Sequence, residues 1–265
     1  MDHRDVGRYW NDNADAWTKL ARAGYDVYRD LVNTPAFFEL LPDIAGLRVL
    51  DIGCGEGHNT RLLAQRGARV TAIDIADRFI AHAIASEREA PLGIDYQVAS
   101  AVELPFDDQT FDAATAFMTL MDVPETDRAL AEAFRVIRPG GFLQFSITHP
   151  CFNTPHRRSV RDAHGRKYAL EVGDYFRNLD GDVEVWLFGA APAEAKAGLS
   201  QFRTPRFTHT LSEWLNLVVD TGFTIERTGE PYPSDEAVRA YPRMAGARIV
   251  PDFFHLRARK PAERS

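Results

Sequence analysis

Cysteine is nearly missing from this chain: two in 265 residues, at positions 54 and 151. Two thiols do not make a disulfide framework, so a reducing, cytoplasmic setting is the expectation. Long apolar runs are missing too. No stretch approaches the ~20 residues that a membrane-spanning helix needs. Met1 to Asp5 is polar with no apolar segment after it, so neither a membrane partner nor a secretory signal is expected. An excess of basic charge is also lacking: 31 Lys and Arg stand against 38 Asp and Glu, a formal net charge of −7. That balance speaks against gripping a nucleic-acid backbone over many phosphates. No internal repeat and no low-complexity segment is present. The 45% hydrophobic content is ordinary for a globular chain, and the length suits one domain with an insertion.

The chain is organised around Leu47-Arg-Val-Leu-Asp-Ile-Gly-Cys-Gly-Glu-Gly57. Leu47 to Ile52 is a short run of branched residues, the pattern of a buried parallel strand. Gly53, Gly55 and Gly57 let the backbone turn sharply and approach a ligand closely. From His58 the pattern becomes helical. Strand, glycine loop and helix N-terminus together make a nucleotide site in an open α/β sheet. A dinucleotide fingerprint is G-x-G-x-x-G. Here the glycines fall at every second position, and Asp51 precedes the first. A pyrophosphate would not welcome that carboxylate, whereas a ligand with an ammonium and a sulfonium would.

The stretch resembles motif I of the class I S-adenosylmethionine-dependent methyltransferases, in the small-molecule branch that contains the ubiquinone and menaquinone methyltransferases. The resemblance implies S-adenosyl-L-methionine as cofactor, with Asp51, Gly53, Cys54 and Gly55 in its cradle. It also implies a Rossmann-like α/β fold: a seven-stranded, mostly parallel sheet in the order 3-2-1-4-5-7-6, last strand antiparallel, with helices on both faces. One domain is expected, with an N-terminal helical lid over 1–45 and a cofactor-binding core over 46–149. A substrate cap inserted after strand 5 takes 150–209, and 210–260 completes the sheet.

Before the first strand, residues 8–41 fit two amphipathic helices, broken near Gly24 and ended by Pro35, and a third over 36–41. Their aromatics are packing residues, a closing lid, or both. Tyr25, Tyr28 and Arg29 are candidate ligand contacts, and a guanidinium such as that of Arg29 can grip a carboxylate bidentately. Strand 69–74 ends on Asp74, placed to accept ribose hydroxyls, with Ile75 against the adenine. Asp77 is expected to cap the following helix. After strand 94–99, Ser100, Ala101 and Val102 stand in the adenine-side loop of the family. Ser100 replaces the usual aspartate, and Glu103 is an alternative acceptor. Strand 111–117 leads to Met118–Pro124 without the Asn/Asp-Pro-Pro-Tyr/Phe tetrad that methyltransferases of base amines and of glutamine carry. Phe117 and Met118 are therefore assigned to the cofactor, and Met121 to the acceptor pocket. Arg138-Pro139-Gly140-Gly141 matches another family signature and is expected to end the helix 127–137.

In the variable part, a two-stranded excursion is expected between about 165 and 208. The basic run Arg157, Arg158, Arg161, Arg166, Lys167 is either a solvated loop or an anion contact. Trp17 and Trp186 are candidates for stacking on a flat acceptor. His149, at the carboxyl end of the fifth strand, is the candidate base and acceptor contact, with a structural turn as its alternative; His156 and His209 are weaker candidates. His149, Cys151 and His156 lack an evident fourth ligand, so no metal is expected. The reading is methyl transfer to an O, N or C nucleophile of a small, planar metabolite, by a monomer or homodimer. The competing classes are a nicotinamide-dependent oxidoreductase and a cofactor-binding protein without catalysis.

Overall fold

A computed structural model describes residues 1–262. The chain opens on a 20-residue helix, α1 (His3–Arg22). A reciprocal cap starts it: the Asp5 N–H donates to the Asp2 side chain, and the Asp2 N–H to that of Asp5. That cap lies upstream of the periodic stretch, so the helix begins before residue 8. The second helical run, from Val27 to Leu40, does not stop at Pro35. Its middle, Arg29–Asn33, is a π turn in which the Thr34 N–H reaches back to the Arg29 carbonyl, and α2 (Thr34–Leu40) continues from it. The widened turn accommodates a proline that a regular helix interior would reject.

Strands and helices then alternate as β1 (Arg48–Ile52), α3 (His58–Gln65), β2 (Arg69–Asp74), α4 (Asp77–Glu89), β3 (Asp95–Val98), β4 (Phe111–Phe117), α5 (Thr126–Val136) and β5 (Ile137–Thr148). Two antiparallel hairpins follow. The first pairs β6 (His156–Arg161) with β7 (Lys167–Gly173). The second pairs β8 (Asp182–Trp186), across the short α6 (Ala193–Lys196), with β9 (Phe202–Arg206). The excursion therefore starts earlier than expected and contains two strand pairs. Last come α7 (Leu211–Asp220), β10 (Thr224–Gly229), α8 (Asp235–Ala240) and β11 (Phe253–Arg259).

The main sheet has the order β3-β2-β1-β4-β5-β11-β10. Its first five strands are parallel, and β11 runs antiparallel to both of its neighbours. This is the expected order. Alternation along β1 sends Val49 to one face, with Leu63 of α3 and Ile80 of α4, and Leu50 to the other, with Leu130 of α5 and Val218 of α7. Both faces are thus covered by helices. Among the described residues, no helix is long and apolar enough to cross a membrane.

Two local expectations are corrected. Asp77 is not a cap: the N-cap of α4 is Ala76, without a side-chain bond, because Asp74 takes the Ala76 N–H. Arg138–Gly141 does not terminate α5 with a turn. The chain passes from Val136 straight into β5, and these residues form an irregularity in the β4–β5 ladder. A Cβ at Gly141 would lie 2.4 Å from the Asp112 carbonyl oxygen. The glycine serves a close backbone approach.

Polar pins hold the N-terminal helices in place. The Asn13 side chain of α1 bonds both the N–H and the C=O of Arg203 on β9, at 2.9 and 3.0 Å. Trp17 of α1 meets Trp186, Phe188 and Phe202 at ring separations of 5.5, 4.8 and 4.8 Å, each such pair contributing about 0.5–1.5 kcal/mol beyond its area burial. Asn33, at the end of the π turn, bonds Ser146 of β5 and His255 of β11.

Candidate functional site

The loop after β1 is held by the strand beside it. The N–H groups of Gly53 and Cys54 both donate to the Ile73 carbonyl. Gly53 (φ +70°) and Gly57 (φ +89°) are packed tightly: a Cβ on the first would lie 2.2 Å from Thr119 Cγ2, and on the second 2.7 Å from the Tyr96 hydroxyl. Gly55 differs. A Cβ there meets no protein atom within 4 Å, and the residue lines a cavity of about 1480 Å³. The space over Gly55 is room left for a ligand.

Two buried carboxylates flank that room. Asp51, 2% exposed, accepts from the hydroxyls of Thr60 (2.6 Å) and Thr115 (2.8 Å). Asp74, 8% exposed, accepts from the N–H groups of Gly55 and Ala76, both at 2.9 Å. Burial raises each to about 6, opposed by those donors. Each Asp74 oxygen uses one acceptor site on the backbone and has another left for a ligand hydroxyl. Both aspartates line the cavity. The unfolded chain holds fewer protons than the fold between about pH 4 and pH 6, so these two groups cost the fold stability as pH rises through that window. A cationic ligand offsets the cost.

The cavity exceeds the roughly 300–1,000 Å³ of a pocket for one small ligand. Beyond the glycine loop it runs past Phe117, Met118 and Met121 to a wall made by Trp17, Trp186 and Phe188. Met118 takes a left-handed backbone (φ +55°) rare for a side chain of its size. Its N–H donates to the Ser146 carbonyl across to β5.

Here stands a residue that the sequence did not announce. Asp122, in the 3-10 turn Leu120–Asp122 after β4, is half-buried with its exposed part in the cavity. Its carboxylate has no hydrogen-bonding partner among the described residues. Burial pushes it up to about 8, against the pull of the nearby Arg206 guanidinium. A group that titrates near neutrality and faces an open chamber can take a proton from a ligand.

Residues 50–145 match a family model described as "Methyltransferase domain". The fold resembles that of an S-adenosylmethionine-dependent methyltransferase from Mesorhizobium loti, with a TM-score of 0.68 and 28% identity, over 85% of this chain and 96% of that one. The stretch 50–145 is thus similar to a methyltransferase domain. Among curated relatives, the ubiquinone biosynthesis O-methyltransferase of Xanthomonas oryzae pv. oryzae (strain PXO99A) is 38% identical over 142 residues, covering 53% of this chain and 56% of the relative. The demethylmenaquinone methyltransferase of Thermobifida fusca is 35% identical over 145 residues, covering 54% and 60%. The chain thus spans little more than half the length of the curated relatives it matches.

The fold brings most of the sequence-selected residues to one cavity. Trp17, Tyr25, Tyr28, Arg29, Cys54, Ile75, Ser100, Ala101 and Trp186 line it with the loop and the aspartates. Gly7 of α1 lies against Ile75, 3.0 Å from its would-be Cβ, so the helix roofs that end. Burial pushes the Cys54 thiol well up, which keeps it neutral. Arg29 is in the cavity wall but already held: Asp30 and Glu56 take its guanidinium at 2.7 and 3.2 Å, and Asp26 stands at 3.9 Å. Two residues stand apart. The Val102 side chain is in the core with Leu104 and Phe111, and its N–H faces Ser100 Oγ at 3.4 Å. Glu103 is exposed outside the cavity.

His149 is the main correction. It is 1% exposed and is not in the cavity wall, although its neighbours Thr148 and Pro150 are. Its Nδ1 accepts from the Cys151 N–H at 3.2 Å, which leaves Nε2 protonated to donate to Glu230 at 2.8 Å. Both nitrogens hold the turn after β5. His149→Ala is therefore expected to lower stability by about 1–3 kcal/mol through orphaned partners, and to change turnover by less than about threefold. Melting curves and rates on the same preparation check this; a rate loss of about a hundredfold in a well-folded variant would restore it as a base. His209 does line the cavity, with its ring edge-on to Trp214 at 5.3 Å and Nε2 3.4 Å from the Thr126 hydroxyl; burial lowers its pKa.

Proposed function

We propose that the chain transfers a methyl group to an O–H or N–H nucleophile of a small acceptor. The acceptor sits in the chamber between α1, the turn after β4 and the two hairpins. The observation that carries this reading is the continuity of the cavity from the open space over Gly55 to the unpartnered Asp122 carboxylate. When bound, S-adenosylmethionine supplies an electrophilic methyl on a sulfonium. The chain's residues do the rest. Asp74 accepts the ribose hydroxyls, the glycine loop and Asp51 meet the amino-acid end, and Ile75, Ser100 and Ala101 stand at the base. Phe117 and Met118 form the floor towards the acceptor. Trp17 and Trp186 offer ring edges and faces to a flat molecule, and the hairpins exclude water. The acceptor heteroatom gains the methyl and gives its proton to Asp122.

A small molecule, rather than a nucleic acid, fits the enclosed site and the net charge of −7. The test is release of S-adenosylhomocysteine over a panel of phenols, quinols and amines. Methylation of RNA or a folded protein, with no small acceptor taken, would overturn the reading. Asp74→Ala should weaken cofactor binding about ten- to a hundredfold with the fold intact, from the roughly 1.5–3 kcal/mol of hydrogen bonds to a charged group. Calorimetric titration measures it, and unchanged affinity would remove Asp74 from the ribose.

A further inference from the structure

The transfer just described leaves one part of the cavity wall unused. Arg157, Ser159 and Arg161 alternate along β6, so they share one face, and all three line the cavity. Lys167, paired with Arg161 across the hairpin, lines it too, as does Arg243 from the 3-10 turn Pro242–Arg248. Gly246 of the same turn leaves room for the Lys167 stem: a Cβ there would lie 3.3 Å from Lys167 Cδ.

The charges do not cancel. Arg157 is paired with Asp252 at 2.5 Å. Arg161 donates to the Gly165 carbonyl alone, at 2.9 Å. The Lys167 and Arg243 side chains have no hydrogen bond or ion pair among the described residues. Four cations thus face one carboxylate, in a protein whose net charge is −7. Lys167 is pushed below its usual value by burial and by Arg157 and Arg161, with Asp252 opposing. The phenols of Tyr28 and Tyr241, which also line the cavity, have no hydrogen-bonding partner there. Both lie within electrostatic reach of each other and Tyr28 within that of Asp252 and Arg157. Clustered cations and free hydroxyls on one concave wall cost stability through mutual repulsion and unmet donors, unless an anion completes them.

We propose that this wall binds an anionic group, a carboxylate or a phosphate, carried by the methyl acceptor. The inference rests on the acceptor chamber described above and names its substrate class: small acids. Arg29 is held by its own acidic neighbours, whereas Arg161, Lys167 and Arg243 have no ion-pair partner among the described residues. The contact orients the acceptor with its charged end at the hairpin and its nucleophile towards Asp122.

Binding alone tests this, independently of turnover. The full chain, saturated with S-adenosylhomocysteine, is titrated calorimetrically with 3,4-dihydroxybenzoate, with its methyl ester, and with phenyl phosphate. At least one acid is expected to bind tenfold or more tightly than the ester, and to weaken as salt rises. The arm that binds identifies the anion. Arg161→Gln with Lys167→Met, and separately Arg243→Gln on another element, are each expected to remove most of that preference while leaving S-adenosylhomocysteine affinity within twofold. If no acid outbinds the ester, the proposal is overturned. It is equally overturned if folded variants lose S-adenosylhomocysteine affinity instead, which would assign the wall to the cofactor. Loss of transfer with acid binding intact would strike the catalytic reading only.

Discussion

Gly53→Val is expected to abolish S-adenosylmethionine binding and to lower the melting temperature by several degrees. Gly53 has φ +70°, a region where a side chain costs roughly 1–2 kcal/mol. Its Cβ would also sit 2.2 Å from Thr119 Cγ2 and 2.3 Å from Thr119 Oγ1, and the valine methyls would add to the overlap. Thr119 cannot retreat easily, because its hydroxyl donates to the carbonyls of Gly53 and Phe117. The clash would therefore push the loop off the Ile73 carbonyl that anchors it. Gly55→Ala is the control. Its Cβ meets no protein atom, so only the smaller backbone cost of φ +55° falls on the fold, and the new methyl enters the ligand's space. Calorimetry and melting curves on both variants decide it. A Gly53→Val protein that binds the cofactor normally would show that this loop is not the cradle.

Asp122→Asn is expected to lower turnover by about 10²–10⁴, the usual worth of a placed general base, with cofactor affinity little changed. In the parent protein, activity should rise with pH through about 8 as the carboxylate forms, and the variant should lose that rise. The stability consequence runs the opposite way. Because the folded group holds its proton to a higher pH than the unfolded one, the parent loses stability as pH rises from about 4 to about 8. The asparagine variant escapes that loss and should melt higher than the parent at alkaline pH. Identical pH–rate profiles in the two proteins would exclude Asp122 as the proton acceptor.

The motif-bearing half of this chain was legible because its signals are local. Branched residues before three glycines, with Asp51 next to the end of the first strand and Asp74 at the end of the second, define β1, β2 and their loops within a few residues. The strand order came from the family resemblance. The misreadings have physical causes. The rule that ligands meet the carboxyl ends of strands assumes that the chain leaves the sheet there. At β5 it stays beside β11, where the His149 N–H still bonds the Asp252 carbonyl, and the side chain is directed to Glu230. Pro35 reads as a helix stop, but a π turn secured by Asn33 absorbs it. Asp122 carries no motif, and its importance comes from burial and from an empty space beside it, which no linear pattern encodes. The basic run from Arg157 to Lys167 was visible, yet only the structure shows that Arg157, Ser159 and Arg161 share the cavity with Arg243.

The Asn13–Arg203 bonds also set a timetable for biosynthesis. The helix α1 leaves the ribosome with its partner strand still 190 residues downstream. Until the second hairpin has been made, Trp17 lacks its three ring neighbours there, and the side of α1 that packs on β9 is without its cover. The parallel core can assemble from residues 34–148 in the meantime, since β1 to β5 and their helices are contiguous in the chain. α1 can lie on α4 as soon as that helix forms, but its docking on β9 belongs to a late stage of folding, because it closes a loop over most of the chain. Until then, the Trp17 side of α1 is exposed apolar surface of the kind that invites misassembly.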